Sequence, residues 1–254
     1  MNKIAQAFAN GKAFIPFITC GDPNLATSKK LIYAMAEAGA DLIELGIPFS
    51  DPTAEGPVIQ EANERALATG ITTDKIFDMV ATVDVAIPMV FMTYANVLFS
   101  YGIARFVKRA KEVGIAGVIL PDVPFEEKEE FDSVCKEYGL DCISLIAPNS
   151  DDRTVMIAKE ATGFVYCVSS LGVTGVRSNI ASNIGDMIDL VKQHSDTPCA
   201  IGFGISTPEQ AATMAKHSDG VIVGSAIVKL CAQYKEDCVP HVAAYVKSIK
   251  DAIR

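Results

Sequence analysis

The chain has 254 residues, of which 50% are hydrophobic, and its formal net charge is −9 at pH 7. This length allows one domain with a full hydrophobic core, and about 250 residues is typical of a (β/α)8 barrel. The acidic balance, without any cluster of Lys or Arg, argues against nucleic acid or an anionic membrane surface as a partner. Because no apolar run reaches the roughly 18 residues of a membrane span and no secretory signal is evident, we expect a cytoplasmic protein.

The cysteines and histidines give no sign of a disulfide framework or a metal site. There are seven cysteines, an odd number, and no Cys-x-x-Cys, which is typical of reduced thiols in a cytoplasmic core. None of the three histidines shares a predicted strand end with another candidate ligand. We therefore expect no metal.

In chain order, the sequence first predicts a short amphipathic helix at residues 1–8 and then a repeated alternation of strands and helices. The predicted strands are 14–19, 42–46, 88–92, 117–121, 141–147, 164–169, 199–203 and 220–223. The predicted helices are 26–38, 73–83, 103–113, 126–138, 152–160, 183–194, 207–217 and 226–250, the last of them more than one helix. The alternation and the count of strands predict an α/β fold, a (β/α)8 TIM barrel with an extra N-terminal helix, formed by residues 1–254 as a single domain.

A carboxylate lies inside the second predicted strand, near its C-terminal end. Active sites of such barrels form at the C-terminal ends of the strands, and Glu44 lies there among Leu42, Ile43 and Leu45. A buried carboxylate is costly unless it is paired, protonated or used. With no Lys or Arg nearby in sequence, we expect a raised pKa and a role in proton transfer. The alternative is that the Glu44 side chain contacts an Arg or faces a solvent channel.

The loop that follows, stiffened by Gly and Pro, carries Asp51 and Glu55. An acid on a strand opposite an acid on a loop is a common arrangement for proton transfer. Asp51 could instead cap the turn before Pro52, and Glu55 could be a solvated loop acid. Tyr94 and Tyr166 follow apolar strand residues, and both a structural and a substrate-facing role stay open for them.

Glycine-rich segments follow the last three predicted strands, at 171–176, 201–206 and 223–226. Glycine lets the backbone approach an anion, and barrels often bind phosphate with the loops after strands 7 and 8. Phe17, Leu98 and Phe203 would favour an aromatic or apolar group at the far end of the ligand. From the residues alone, we expect a barrel enzyme that acts by acid–base chemistry on a phosphorylated compound.

The segments 42–52 and 56–60 resemble the signature of the tryptophan synthase alpha chain family, and the resemblance covers nearly the whole chain. Further matching segments are 17–23, 92–96, 122–124, 172–175, 202–206 and 224–229. The resemblance implies a lyase of tryptophan biosynthesis that cleaves indole-3-glycerol phosphate to indole and glyceraldehyde 3-phosphate by a retro-aldol step. It also implies that this chain needs no cofactor, and that its partner in an alpha2beta2 complex is a beta chain that holds pyridoxal phosphate.

The resemblance further implies roles for individual residues. Glu44 matches the acid–base glutamate, Tyr166 matches a tyrosine near the reacting centre, and the segment 172–175 matches a loop that closes over the substrate. The implied substrate contacts are Phe17, Tyr94, Thr174 and Phe203, and the implied phosphate-binding residues are Gly175, Gly204, Gly224 and Ser225.

One catalytic position departs from the family pattern. Glu55 stands where the family usually has an aspartate, which holds the proton of the indole nitrogen in the transition state. The extra methylene adds a reach of roughly 1.5 Å, and a misplacement of about 1 Å can cost about a hundredfold in rate. Either the loop compensates and Glu55 keeps the role, or the subunit is slow alone and depends on its partner.

Parts of the sequence are compatible with two other functions. The Glu55 change allows a weakly active regulatory subunit that mainly docks on the beta chain and activates it. A different phosphate-binding barrel, such as a sugar-phosphate isomerase or epimerase, would explain the glycines and the acids but not the segment 44–57.

Overall fold

The computed structural model describes residues 3–148, 150–168, 180–202 and 204–254, without the side chains of 180–183. Eight parallel strands pair in sequence order and close into a barrel, so the predicted fold class is confirmed. The strands are β1 (Ala13–Thr19), β2 (Ile43–Gly46), β3 (Met89–Met92), β4 (Gly117–Ile119), β5 (Asp141–Ile146), β6 (Val165–Val168), β7 (Cys199–Gly202) and β8 (Gly220–Val223).

Helices connect successive strands and cover the outside of the barrel. They are α1 (Lys3–Ala7), α2 (Leu25–Glu37), α3 (Pro57–Ala68), α4 (Thr73–Val80), α5 (Ala95–Tyr101), α6 (Ile103–Glu112), α7 (Glu129–Tyr138), α8 (Asp151–Glu160), α9 (Ile180–His194), α10 (Pro208–Ala215), α11 (Ser225–Tyr234) and α12 (Cys238–Ala252). The predicted N-terminal helix is present as α1, and the predicted stretch 226–250 divides into α11 and α12 around a short 3-10 turn.

Two helices were not predicted from the sequence. The helix α3 begins directly at Pro57, which the sequence analysis assigned to the end of a loop. Proline is well suited to the first position of a helix, since its missing N–H would have no partner there. The helix α5 has only seven residues, too few for its apolar spacing to stand out.

The alternation of side chains along each strand decides which residues face the barrel interior. Ile43 and Leu45 pack in the layer between the strands and the helices, whereas Leu42 packs inside the barrel with Phe17 and Tyr166. Successive strand residues point to opposite faces, so Glu44 shares the interior face with Leu42.

A buried ionic contact ties the last helix to the first strand. Lys250 Nζ lies 2.7 Å from Asp41 Oδ2 and 2.9 Å from the backbone oxygen of Lys12. The same Asp41 oxygen accepts a hydrogen bond from the Phe14 backbone N–H at 2.7 Å. Both side chains are largely buried, so this contact fixes α12 against the N-terminal end of the barrel.

Lys250→Met is expected to lower the free energy of unfolding by about 2 kcal/mol, because it leaves a partly buried carboxylate without its cation. The matched control is Lys247→Met on the same helix, which removes an exposed pair with Asp251 and should cost less than about 0.5 kcal/mol. Urea unfolding of both variants measures the difference, and equal losses would contradict this account of the contact.

Candidate active site

Glu44 is the most buried acid of the site. Its relative exposure is 1%, and among the described residues its Oε2 has no hydrogen-bond partner. In the barrel it pairs in register with Phe17 of β1 and Val90 of β3. Burial, and next the negative charge of Glu55, raise the pKa of Glu44 from its ordinary 4.5 to about 8. The carboxyl group is therefore protonated at neutral pH.

Glu55 lies just before α3 and is held by side chains of that helix. Its Oε2 accepts a hydrogen bond from Asn63 Nδ2 at 2.7 Å, and its backbone oxygen accepts one from Gln60 Nε2 at 2.7 Å. Burial raises the pKa of Glu55 to about 7, while hydrogen bonds from Asn63 and Tyr94 act in the lowering direction. Glu55 is thus a partly buried acid rather than a solvated one, and its neighbours stabilise its ionised form.

Tyr94 fixes the loop that carries Glu55. The Ala54 backbone N–H donates a hydrogen bond to the Tyr94 hydroxyl at 3.2 Å, and the ring of Tyr94 stacks on Phe49 with centroids 5.3 Å apart. Tyr94 is buried, and its burial and the charge of Glu55 raise its pKa above the ordinary value. Its hydroxyl therefore stays protonated beside the Glu55 carboxylate.

Tyr166 and Phe17 complete the interior surface around Glu44. Burial, and next the charge of Glu44, raise the pKa of Tyr166 well above 10. A Cβ added at Gly202 would lie 2.6 Å from the Tyr166 hydroxyl, so glycine there leaves room for the ring. A Cβ added at Gly46 would lie 2.6 Å from Phe17 Cζ, so glycine at position 46 likewise leaves room for the ring of Phe17.

A cavity of about 420 Å³ opens beside these residues, within the size range of small-molecule sites. Glu55 and Tyr166 line it, together with Met92, Leu145 and other apolar side chains. Glu44 is outside this lining, but its charge acts on Tyr166 and the charge of Glu55 acts on it.

The described part of the predicted phosphate site lies at the ends of β7 and β8. Gly224 is the N-cap of α11, which has no side-chain cap, and Ser225 is its exposed first residue. Gly204 is exposed with φ +75°, and among the described residues a Cβ there would meet nothing within 4 Å. The N-terminus of α11, which lacks a side-chain cap among those residues, suits an anion. Thr174, Gly175 and Phe203, like the segment 172–179, lie outside the described residues.

Three other acids, each in a loop that follows a strand, have structural contacts. Arg65 donates two hydrogen bonds to Asp22, at 2.9 and 2.7 Å. Asp122 accepts from the Ala95 backbone N–H at 3.1 Å, at the start of α5. Asp51 is exposed and accepts a hydrogen bond from Ser50.

Asn63 and Gln60 are the site residues that the sequence analysis missed. Both belong to α3, which was not predicted. Asn63 is buried on the same helix face as Ile59, Ala62 and Ala66. A polar residue within an apolar helix stripe is a signal that could have found it, once Pro57 is placed at the start of a helix.

In the described part of the chain, no group of three or more His, Cys, Asp or Glu side chains is arranged to hold a metal ion. The described helices include none with the length and apolar character needed to cross a bilayer. All seven cysteines are buried free thiols.

The fold and the paired acids define the class of (β/α)8-barrel enzymes that work by proton transfer. A sequence model of the tryptophan synthase alpha chain family matches residues 4–254. The chain belongs to this family, whose reaction is the cleavage of indole-3-glycerol phosphate by a lyase.

Individual relatives are similar to this chain over its whole length. The tryptophan synthase alpha chain of Lacticaseibacillus casei is 47% identical over 255 residues, which cover 100% of this chain and 96% of the relative. The crystal structure of the alpha subunit from Legionella pneumophila has a TM-score of 0.90 at 37% identity, covering 100% of this chain and 98% of that one. A chain of the aminoacrylate-bound tryptophan synthase of M. tuberculosis has a TM-score of 0.89 at 30% identity, with 100% of each chain covered.

Asn63→Leu is expected to make cleavage more sensitive to acid. The Asn63 hydrogen bond lowers the pKa of Glu55, so its loss raises that pKa and leaves less carboxylate below neutral pH. We expect kcat/KM to fall about tenfold at pH 6.5 and less at pH 8.5, in line with a lost hydrogen bond to a charged group. Gln60→Leu is the control, because Gln60 bonds only the backbone oxygen and should change activity equally at both pH values. A loss in Asn63→Leu that does not depend on pH would rule out this role.

Glu44→Gln is expected to stabilise the fold increasingly as pH rises. The folded-state pKa of Glu44 is raised from 4.5 to about 8, so its stabilising contribution is full below about 4.5 and is lost as pH rises to about 8. Glutamine does not titrate, so the variant should gain on the wild type between pH 5 and pH 8. Urea unfolding at pH 5, 6.5 and 8 measures this, and a constant difference would contradict the raised pKa.

Proposed function

We propose that this chain cleaves indole-3-glycerol phosphate with Glu44 as the catalytic acid and base and Glu55 as the carboxylate that holds the indole nitrogen. The observation that carries the proposal is the burial of two acids with different partners. Among the described residues Glu44 Oε2 has no hydrogen-bond partner, whereas Asn63 donates to the Glu55 carboxylate, and burial raises the pKa of both acids. The hydrogen bond favours the ionised form of Glu55, and the charge of Glu55 favours the protonated form of Glu44. These are the two states that the reaction requires of them.

The reaction proceeds as two proton transfers through Glu44. The protonated carboxyl gives its proton to the indole ring carbon that bears the glycerol chain, and the positive charge that develops on the ring nitrogen is stabilised by the Glu55 carboxylate. The Glu44 carboxylate then takes the proton of the adjacent glycerol hydroxyl. As that hydroxyl becomes an aldehyde, the carbon–carbon bond breaks and its electron pair restores the aromatic ring. Glu44 ends the cycle protonated again.

We assign the remaining candidate site residues to binding and orienting the substrate. Tyr166 is a buried neutral hydroxyl beside Glu44, and we assign it to the reacting centre. Phe17, Tyr94, Thr174 and Phe203 are assigned to the indole and glycerol parts of the substrate, and the phosphate is assigned to Gly175, Gly204, Gly224 and Ser225. The N-terminus of α11 beside Gly224 supports the phosphate assignment.

The extra methylene of Glu55 is accommodated on the side of α3. The hydrogen bonds from Asn63 to its carboxylate and from Gln60 to its backbone hold both ends of the residue. This support favours a Glu55 that keeps the aspartate's role. It therefore favours an active subunit over the second candidate function, a weakly active regulatory subunit.

The partner that we propose is a tryptophan synthase beta chain in an alpha2beta2 complex, and a related chain belongs to the tryptophan synthase of M. tuberculosis. Acid–base groups suffice for the cleavage, so no cofactor is assigned to this chain, and pyridoxal phosphate is assigned to the beta chain. We also propose a cytoplasmic location for this member of a tryptophan biosynthesis family. Cleavage kinetics of the isolated chain, with and without added beta chain, separate the two candidate functions: a rate near zero alone would favour the regulatory one.

The kcat/KM for cleavage is expected to rise with pH through about 7, as Glu55 ionises, and to fall through about 8, as Glu44 loses its proton. Glu44→Gln should lose at least about a hundredfold in rate. Glu55→Gln should abolish the rise of kcat/KM on the acid side of the pH profile. It should also move the fall on the alkaline side to lower pH, since the charge of Glu55 raises the pKa of Glu44. Glu61→Gln, an exposed position on α3, serves as control. Near wild-type cleavage by Glu44→Gln would overturn the mechanism.

A further inference from the structure

The cavity beside the active site extends beyond the barrel interior. One part, here called the ring limb, is lined by Met92, Ile143, Leu145 and Tyr166. A second part, here called the side limb, is lined by Phe125, Lys128, Cys142, Ser144 and Ile157. Because side chains alternate along β5, Ser144 points to the helix side of the strand, opposite to Ile143 and Leu145. The cavity is therefore lined by side chains from both faces of β5, and on the helix side it is bordered by Lys128 at the start of α7.

The side limb contains a buried ammonium group with unused hydrogen-bonding capacity. The Lys128 side chain is 10% exposed, and its Nζ donates to Ser144 Oγ at 3.1 Å. An ammonium has three donors. Among the described residues, the nearest carboxylate oxygen is Asp132 Oδ2 at 3.8 Å, which is too far for a hydrogen bond. Within the described part of the chain, at least one donor of Lys128 is therefore left for a ligand.

The charges around the side limb leave Lys128 incompletely neutralised. The Asp132 oxygen that faces Lys128 lies closer to Lys136 Nζ, at 2.8 Å, so two cations share one carboxylate. Arg153, which also lines the cavity, donates two hydrogen bonds to Glu126 and adds no net charge. A buried and under-neutralised cation is costly, and an anion that reaches it removes part of that cost.

We propose that the side limb binds a carboxylate carried on the six-membered ring of an indole-class ligand whose ring occupies the ring limb. The proposal rests on the proposed function, in which the indole nitrogen lies against Glu55, one of the residues that line this cavity. A carboxylate matches the site in charge, because one negative group balances the positive charge that is left when Lys128 and Lys136 share the Asp132 carboxylate. It also matches in hydrogen bonding, because its oxygens can accept from both Lys128 and the Ser144 hydroxyl. The apolar walls formed by Phe125 and Ile157 suit the flat ring edge that carries the group.

Calorimetric titration of the full chain tests the proposal. The probes are indole-5-carboxylate and indole-6-carboxylate, each compared with the methylindole of the same substitution. We expect at least one carboxylate to bind about tenfold or more tightly than its methyl counterpart, which corresponds to about 1.4 kcal/mol. Equal or weaker binding of both carboxylates would overturn the proposal. Acetate that binds as tightly as the ring-borne carboxylate would overturn the assignment to a ring substituent.

Two variants remove the preference by different routes. Lys128→Met removes the charge at similar length, and Ser144→Asp supplies a carboxylate from the protein that pairs with Lys128. Both should bind the carboxylate no better than the methylindole, while they bind the methylindole as the wild type does. If Lys128→Met does not fold, Ser144→Asp still decides the matter, and a preference that persists in a folded variant contradicts the proposal.

Cleavage of indole-3-glycerol phosphate by the same wild-type sample distinguishes a failure of the side-limb proposal from a failure of the proposed function. Cleavage without a carboxylate preference would overturn the side-limb proposal alone. A sample that is folded but does not cleave the substrate would contradict the proposed function.

Discussion

The burial of one uncompensated carboxyl group inside the barrel is the constraint on which the site depends. The alternation of β2 turns Glu44 toward the interior, and the described residues offer its Oε2 no hydrogen bond and no cation. Desolvation then disfavours the ionised form and raises the pKa to about 8. The strand β2 also holds Glu44 in place. The group is therefore a proton donor whose position is fixed.

The second acid differs from the first in its hydrogen bonds rather than in its chemistry. Both are glutamates and both have raised pKa values, but Asn63 and Tyr94 stabilise the ionised form of Glu55. No such partner is found for Glu44 Oε2 among the described residues. The charge of Glu55 in turn helps to keep Glu44 protonated. The hydrogen bonds therefore favour the ionised form of Glu55 while burial favours the protonated form of Glu44, and this lets one transfer protons while the other stabilises positive charge.

The sequence predicted the closed barrel and the interior position of Glu44, because eight apolar strands alternate with helices and because the acid lies within such a strand. The resemblance to the tryptophan synthase alpha chain family, now shown by the comparisons, predicted the reaction. Asn63 could not be placed without α3, which begins at a proline that the sequence analysis assigned to a loop. The pair of Lys128 and Ser144 depends on how α7 packs on β5, a contact between elements that no local pattern encodes.

Infrared difference spectroscopy of the Glu44 carboxyl tests the central claim most directly. The wild type with carbonyl-labelled glutamate, compared with Glu44→Gln across pH 4 to 10, isolates the stretching band of the protonated Glu44 side chain. We expect this band to be present at pH 7 and to disappear with a midpoint near 8. A carboxyl group that is already ionised at pH 6, with a midpoint close to the ordinary 4.5, would contradict the account.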